Sequence, residues 1–215
     1  MNADSPGARP VSRSVAALII VGAAIVLCVV LAFVADHTHD RIARNEQAWV
    51  QQRLDALVPA GMHDNDLLTD RIHVTAPDIL DIAEPVTIYR ARLGSQPIAA
   101  ILHTVAPDGY HGRIELLVAI AHEGTLIGVQ IVRHHETPGL GDQFENRRRD
   151  WLADFRGRSL SNPPQQRWSV RKDGGDFDAF TGATITPRAI VRATRRALEY
   201  YAARRDLIFA AASTP

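Results

Sequence analysis

With 215 residues, 46% of them apolar, the chain is long enough for one compact domain beside a short extra segment, and two domains would be cramped. Its 24 basic and 24 acidic residues cancel, which argues against a general polyanion-binding surface and a nucleic-acid partner. The single cysteine, Cys28, excludes an intrachain disulfide, a cysteine-held iron–sulfur cluster and a Cys-x-x-Cys-His haem attachment, so any electron chemistry needs a cofactor that is organic or bound through oxygen or nitrogen.

Residues 1–14 read as a short tail. The run from Val15 to Val34 carries no charged side chain and is rich in Val, Ile, Leu and Ala. At ~1.5 Å per residue it spans about 30 Å, the thickness of a bilayer hydrocarbon core. In lipid every backbone amide must be bonded internally, so the pattern predicts a transmembrane helix over 15–35. A cleaved signal peptide is the competing reading, but its apolar core is usually only about 7–15 residues long. Arg9 and Arg13 precede the run, and the positive-inside tendency then puts the amino terminus in the cytoplasm and the remainder outside it. Bacterial inner-membrane, single-pass anchoring is the resulting expectation.

A connecting helix is expected over 36–60. From Arg41 to Leu57, Ile42, Trp49, Val50, Leu54 and Leu57 fall near one face, and Pro59-Ala60-Gly61 stops it. The domain then occupies 61–215. His63 to Asp66 reads as a loop. From Val86 the apolar period becomes two: 86–90, 98–105, 113–120 and 125–133 read as strands, with turns at Gly109-Tyr110-His111-Gly112 and His122-Glu123-Gly124. Consecutive strands with short turns predict an antiparallel meander. Asn146 to Phe155 has helical spacing, Trp168 to Val170 reads as a short strand, and Pro187 to Arg205 as a helix with Ile190, Ala193, Ala197, Leu198 and Tyr201 on one face. The fold class is α+β: an antiparallel sheet flanked by helices. Leu207 to Pro215 carries no feature that points to a role.

The most informative segment is Asp178 to Pro187. Thr186 is a plausible N-cap, Pro187 suits a first helical residue, and Gly182 and Ala183 let a ligand approach the backbone. Thr184 therefore sits just before a helix start, where free amides and the helix dipole favour a phosphate. On physics alone a plain turn followed by an N-cap explains the segment as well. The nine histidines suggest metal at His37/His39 and at His134/His135, yet neither pair has a second pair of ligands at a recognisable spacing, so no metal site is expected. No Ser-His-Asp or paired-carboxylate pattern points to a hydrolase, and no catalytic residue is assigned.

Asp178-x-x-Thr181-Gly182-Ala183-Thr184 resembles the flavinylation motif Asp-x-x-Ser/Thr-Gly-Ala-Thr/Ser. That motif belongs to the FMN-binding domain of the G subunit of the Rnf electron-transport complex, and the C subunit of the sodium-translocating NADH:quinone reductase shares it. His134-His135-Glu136-Thr137-Pro138-Gly139-Leu140-Gly141 is similar to a His-x-Glu-Thr-Pro-Gly-Leu-Gly stretch of the same family. The resemblance covers nearly the whole chain, with Thr181 where Ser is usual. It implies one FMN held by a phosphoester at Thr184, made by a separate flavin transferase with FAD as donor. It also implies cofactor contacts from Asp178, Thr181, Gly182, Ala183, Glu136, Thr137, Gly139, Leu140 and Gly141. Physically, Leu140 offers a wall for the flavin ring, and Glu136 and Thr137 offer hydrogen bonds to its polar edge. The implied function is electron carriage among the membrane subunits of an Rnf-type complex that couples ferredoxin and NAD oxidoreduction to ion transport, with no independent substrate turnover. The competing readings are a C-type quinone-reductase component, a flavin-dependent membrane sensor and a non-redox binding module.

Overall fold

The computed structural model describes residues 13–145 and 150–213, apart from the side chains of 13–16, 19–20 and 35–47. The chain forms two compact units divided between Trp49 and Val50.

The first unit is built on helix α1 (Arg13–Leu57), whose last turns belong to the second unit. Ile25, Val26 and Leu27, and again Val29, Val30 and Leu31, are exposed in succession, so this part of the helix is apolar all round and has no polar stripe. Among the described residues no helix is long and apolar enough to cross a membrane. The expected span over 15–35 includes side chains at 15, 16, 19, 20 and 35 that lie outside the described residues, as do those of His37 and His39.

The second unit is an α+β domain around a five-stranded antiparallel meander in the order β1-β2-β3-β4-β5. The strands are β1 (Arg71–Val74), β2 (Val86–Leu93), β3 (Gln96–Gly109), β4 (Gly112–Ala121) and β5 (Leu126–Arg133). The last four fall where the period-two pattern places them. β1 is too short and too mixed in character to announce itself, and it exists because it completes the sheet beside β2. Alternation along the strands makes two apolar faces. One carries Ile88, Leu102, Leu116 and Val118 and packs against helix α3 (Ile185–Ala210) through Ile190, Ala193, Ala197, Leu198 and Tyr201. The other carries Tyr89, Ile101 and Leu117 and is covered by Leu54 and Val58 and by Leu67. Tyr201 fixes α3 across the sheet by donating from its hydroxyl to the His122 carbonyl at 3.1 Å, and burial pushes its pKa up to about 12.

α2 (Pro77–Leu80) is a single turn between β1 and β2. The described residues of 134–184 hold no long regular element. They are organised by 3-10 turns around six aromatic rings: Phe144, Trp151, Phe155, Trp168, Phe177 and Phe180. Trp151 meets Phe180 edge-on at 4.9 Å, and Phe155 stacks on Phe177 at 4.7 Å. The indole N–H of Trp151 reaches the Asp178 carbonyl, and that of Trp168 reaches the Ser159 carbonyl. This cluster replaces two elements read from local pattern. The segment from Trp168 to Val170 is not a strand but follows a 3-10 turn and touches Phe177 through one parallel bridge at Val170. Of the helix expected over 146–155, residues Trp151–Phe155 form a 3-10 turn, and 146–149, including Arg147, Arg148 and Arg149, lie outside the described residues. In both places burial of a large ring decides the backbone, and the local spacing does not.

The carboxyl end has a structural role. Arg90, nearly inaccessible in β2, donates to the carbonyls of Ile208 and Ala211 at 2.9 and 2.6 Å and to the Ser213 hydroxyl at 2.8 Å. Arg92 donates to the Phe209 carbonyl at 2.9 Å. Asp70 accepts from Nε of both arginines, at 2.7 Å from Arg90 and 2.9 Å from Arg92, so the last turn of α3 is closed by a charged clamp.

Candidate functional site

α3 begins two residues earlier than Pro187. Its first helical residue is Ile185, Thr184 occupies the N-cap position, and Thr186 lies inside the first turn with its side chain buried. Thr186 is therefore not the cap. The helix extends forward because Thr184 already has helical backbone angles, φ −104° and ψ −20°. An N-cap threonine ordinarily accepts from the amide of the second or third helical residue. Here the third is Pro187, which has no N–H, and the Thr184 side chain makes no capping bond. Thr184 is half-buried, and the amides of Ile185 and Thr186 that follow it have no intrahelical acceptor.

The chain reaches this point through a tight turn. Ala183 N–H donates to the Phe180 carbonyl at 3.2 Å, and Gly182 has φ +81°, a left-handed conformation that a side chain would strain. Gln143 holds the turn from outside through a bond to the Thr181 carbonyl. The second motif forms its own turn: the amides of Leu140 and Gly141 both donate to the Thr137 carbonyl, and the Gly139 amide to Asp142. His134 anchors the base of this loop by meeting the Phe144 ring edge-on at 4.9 Å and pairing with Glu145. Phe144, just after the 134–141 loop, and Phe180, inside the 178–184 segment, approach to 6.2 Å, so the aromatic cluster brings two sequence-distant turns together.

Between them lies a cavity of about 320 Å³ lined by Glu136, Thr137, Leu140 and Gly141 from one motif, and by Gly182, Ala183 and Thr184 from the other. Seven of the ten residues expected at the site line it. Asp178 is placed outside, paired with Arg171 at 2.7 Å, and Thr181 and Gly139 are at the surface of their turns. Four further residues line the cavity: Tyr110, His111, Ile185 and Thr186. Tyr110 and His111 form the β3–β4 turn, and only the meander's register carries that turn beside the end of β5 where the 134–141 loop begins. In the sequence they read as turn residues and nothing more.

Glu136 is the most constrained member, 4% exposed. One carboxylate oxygen accepts from the His111 amide at 3.1 Å and the other from the Thr186 hydroxyl. Gly141 leaves room for it, since a Cβ there would stand 2.7 Å from that second oxygen. Both oxygens thus accept from protein donors, while Glu136 also lines the cavity. It ties the hairpin, the loop and the α3 start to one another. Leu140, Ile185 and Tyr110 are 48, 44 and 61% exposed and make an apolar rim, and Thr137 and His111 hydrogen-bond across it at 3.2 Å. The site thus offers a hydroxyl and a helix start on one side, an apolar rim on the other, and no acidic or basic lining side chain besides Glu136 and His111. That combination suits a small molecule with an anionic end and a flat apolar end. Among the described residues no group of three His, Cys, Asp or Glu side chains is placed to hold a metal ion.

Residues 109–199, which contain the whole cavity lining, match the FMN-binding domain family. The chain is 44% identical over 183 residues to a protein of Shewanella loihica named as the G subunit of an ion-translocating oxidoreductase complex, covering 85% of this chain and 86% of that one. It is also 44% identical over 180 residues to the G subunit of the same name from Pseudomonas aeruginosa, covering 84% of each. To that of Yersinia pestis it is 48% identical over 156 residues, 72% of this chain and 74% of the relative.

Proposed function

The chain belongs to the family of ion-translocating oxidoreductase complex G subunits, and on that basis we propose that it carries one FMN covalently, through a phosphoester on Thr184, and relays electrons within a membrane complex of the Rnf type. The observation that carries this reading is the Thr184 hydroxyl, unengaged as a cap, beside the amino end of a 26-residue helix and inside the cavity that both motifs line.

The residues fit the group. The first-turn amides and the helix dipole favour a phosphate at Thr184. Gly182 and Ala183 keep the backbone low enough for it to approach. Leu140, Ile185 and Tyr110 supply apolar surface for the ring, and Thr137 and His111 supply hydrogen bonds to its edge. A cavity of about 320 Å³ encloses only part of a cofactor of this size, which leaves an edge open to a redox partner. FMN when bound supplies one- and two-electron chemistry, and the protein's share is position and environment. Glu136 contributes by holding the walls in register.

The rest of the reading follows from the anchor. The apolar run over 15–35 spans the inner membrane with the amino terminus in the cytoplasm, so the domain from 61 onward faces the extracytoplasmic side, where a covalent bond keeps the cofactor from diffusing away. Exposed apolar side chains all round α1 from Val21 to Val34 support this placement. Maturation needs a flavin transferase, and the working partners are the other subunits of the complex. The full chain co-expressed with a flavin transferase should fluoresce under ultraviolet light in a denaturing gel, and Thr184→Ala should abolish that band while Thr184→Ser retains it. A fluorescent Thr184→Ala band would reject the attachment site. Protease added to intact spheroplasts should digest the domain, and protection until lysis would reverse the topology.

A further inference from the structure

A second cavity, of about 420 Å³, lies at the other end of α3 and is touched by neither motif. One wall is the edge strand β1 and the chain just after it, through Ile72, Val74, Thr75 and Ala76. The other is a stripe of α3: Tyr200, Arg204, Leu207, Ile208 and Ala211. Eleven residues of helix cover about 16 Å, the length of about five residues of extended chain. The space is therefore a groove that runs along a strand.

Three features of the groove point to an occupant. The backbone edge of β1 is open. The Arg90 amide donates to the Asp70 carbonyl, so residues 70, 72 and 74 bond to β2 and His73 turns both its N–H and its C=O outward. The walls are apolar, and Leu207 is 61% exposed among them. Two polar groups of the groove lack partners among the described residues: exposed Arg204 forms no ion pair, and Tyr200, 7% exposed, makes no hydrogen bond through its hydroxyl although its side chain lines the groove. Burial raises the Tyr200 pKa, against a smaller opposing effect of Arg204, which keeps the hydroxyl a donor. An edge strand offers main-chain bonds, alternate pockets offer side-chain selection, and an unpaired guanidinium selects a carboxylate.

We infer that an extended segment of another subunit of the complex adds to the outer edge of β1 as a sixth strand, seats an apolar side chain against Val74 and Leu207, and sets a carboxylate on Arg204 and Tyr200. This rests on the complex-subunit reading above, and not on the attachment of a cofactor at Thr184.

The test uses the intact complex purified from its membrane through a tag on the full chain, with benzoylphenylalanine in place of Leu207. Ultraviolet light should join that position to one peptide of another subunit, and that peptide should contain an acidic residue. The same probe at exposed Gln165 should not capture it. Arg204→Glu should lower the adduct yield about tenfold by placing like charges together. His73→Pro removes an outward N–H without touching the ladder to β2 and should lower the yield as well. In-gel flavin fluorescence should persist in every variant, and its absence throughout would count against Thr184 alone. An adduct to a second copy of this chain, to lipid only, or to a peptide whose capture neither substitution alters would overturn the inference. So would an assembled complex that gives no adduct.

Discussion

The two ends of α3 are treated in opposite ways. At the carboxyl end the carbonyls of Ile208, Phe209 and Ala211 all accept from Arg90 or Arg92, and Asp70 pairs with both arginines. At the amino end the side chain at the N-cap position, Thr184, makes no capping bond, and Pro187 removes the amide it would ordinarily have met. A helix end whose backbone valences are closed by side chains serves the fold, whereas one left open beside a cavity is available to a ligand. The difference also separates stability from function. Damage at the clamp should be read in unfolding, and, on the proposed attachment, damage at Thr184 in cofactor content.

The largest stability effect should come from the clamp. Asp70→Ala leaves Arg90 buried with only neutral partners, and we expect about 3 kcal/mol lost in urea unfolding of the detergent-solubilised full chain. A loss below about 1 kcal/mol would mean that the carbonyl acceptors suffice. The clamp also carries a pH signature. Burial pushes the Asp70 carboxyl up, but the hydrogen bonds from Arg92 and Arg90 outweigh it and hold it below its ordinary 3.8. Its contribution is then complete above the unfolded value near 3.8 and is lost as pH falls through the lower folded value. Acid unfolding of wild type and Asp70→Ala should therefore converge only below that value.

Next in size is Glu136, which belongs to the open end but acts as a strut. Glu136→Ala should cost about 2 kcal/mol, because the His111 amide and Thr186 hydroxyl lose their acceptor in a buried site. Glu136→Gln can accept from the amide and donate to the hydroxyl, and should recover most of that loss. Equal losses for the two variants would show that charge matters more than the bonds. Thr184→Ala sharpens the contrast further. In chain produced without flavin transferase it should change stability by less than about 0.5 kcal/mol, against about 1 kcal/mol for an ordinary threonine cap. A full cap-sized loss would contradict the open hydroxyl.

The smallest expected effect lies away from both ends and serves as a control. Burial lowers the pKa of His103 on the second sheet face, with Glu115 partly opposing it. Being lowered, it makes the fold lose stability as pH drops below the ordinary 6.5, where the unfolded chain takes up the proton first, and the loss levels off below the folded value. His103→Gln should flatten the unfolding profile just below 6.5 by a few tenths of a kcal/mol and leave both ends of α3 unaffected.

Much of the scaffold is visible in local pattern. Four strands follow period-two alternation, and the buried face of α3 carries the residues that its helical spacing selects. The failures have physical causes. β1 is four residues long and owes its strand conformation to β2 alone. Between 134 and 184 the rings of Trp151, Phe155, Trp168 and Phe177 choose turns that no spacing rule encodes. The start of α3 is displaced from the expected position because Pro187 is tolerated anywhere in a first turn, so it marks a helix start only to within a turn.

Consecutive residues carry the chemistry available at the site: a hydroxyl at Thr184, small residues before it, a helix after it, and a second turn whose Leu140 is apolar. These are local properties, and local backbone preferences express them. It takes the folded chain to spend Glu136 as a strut, to bring Tyr110, His111 and Ile185 into one cavity, to leave Asp178 outside it, and to close the far end of the helix with residues 208–213. Those outcomes depend on sheet register and on which buried groups can find partners. A carboxylate taken out of water bonds to whatever donors the fold brings within about 3 Å, and no stretch of sequence around it names them.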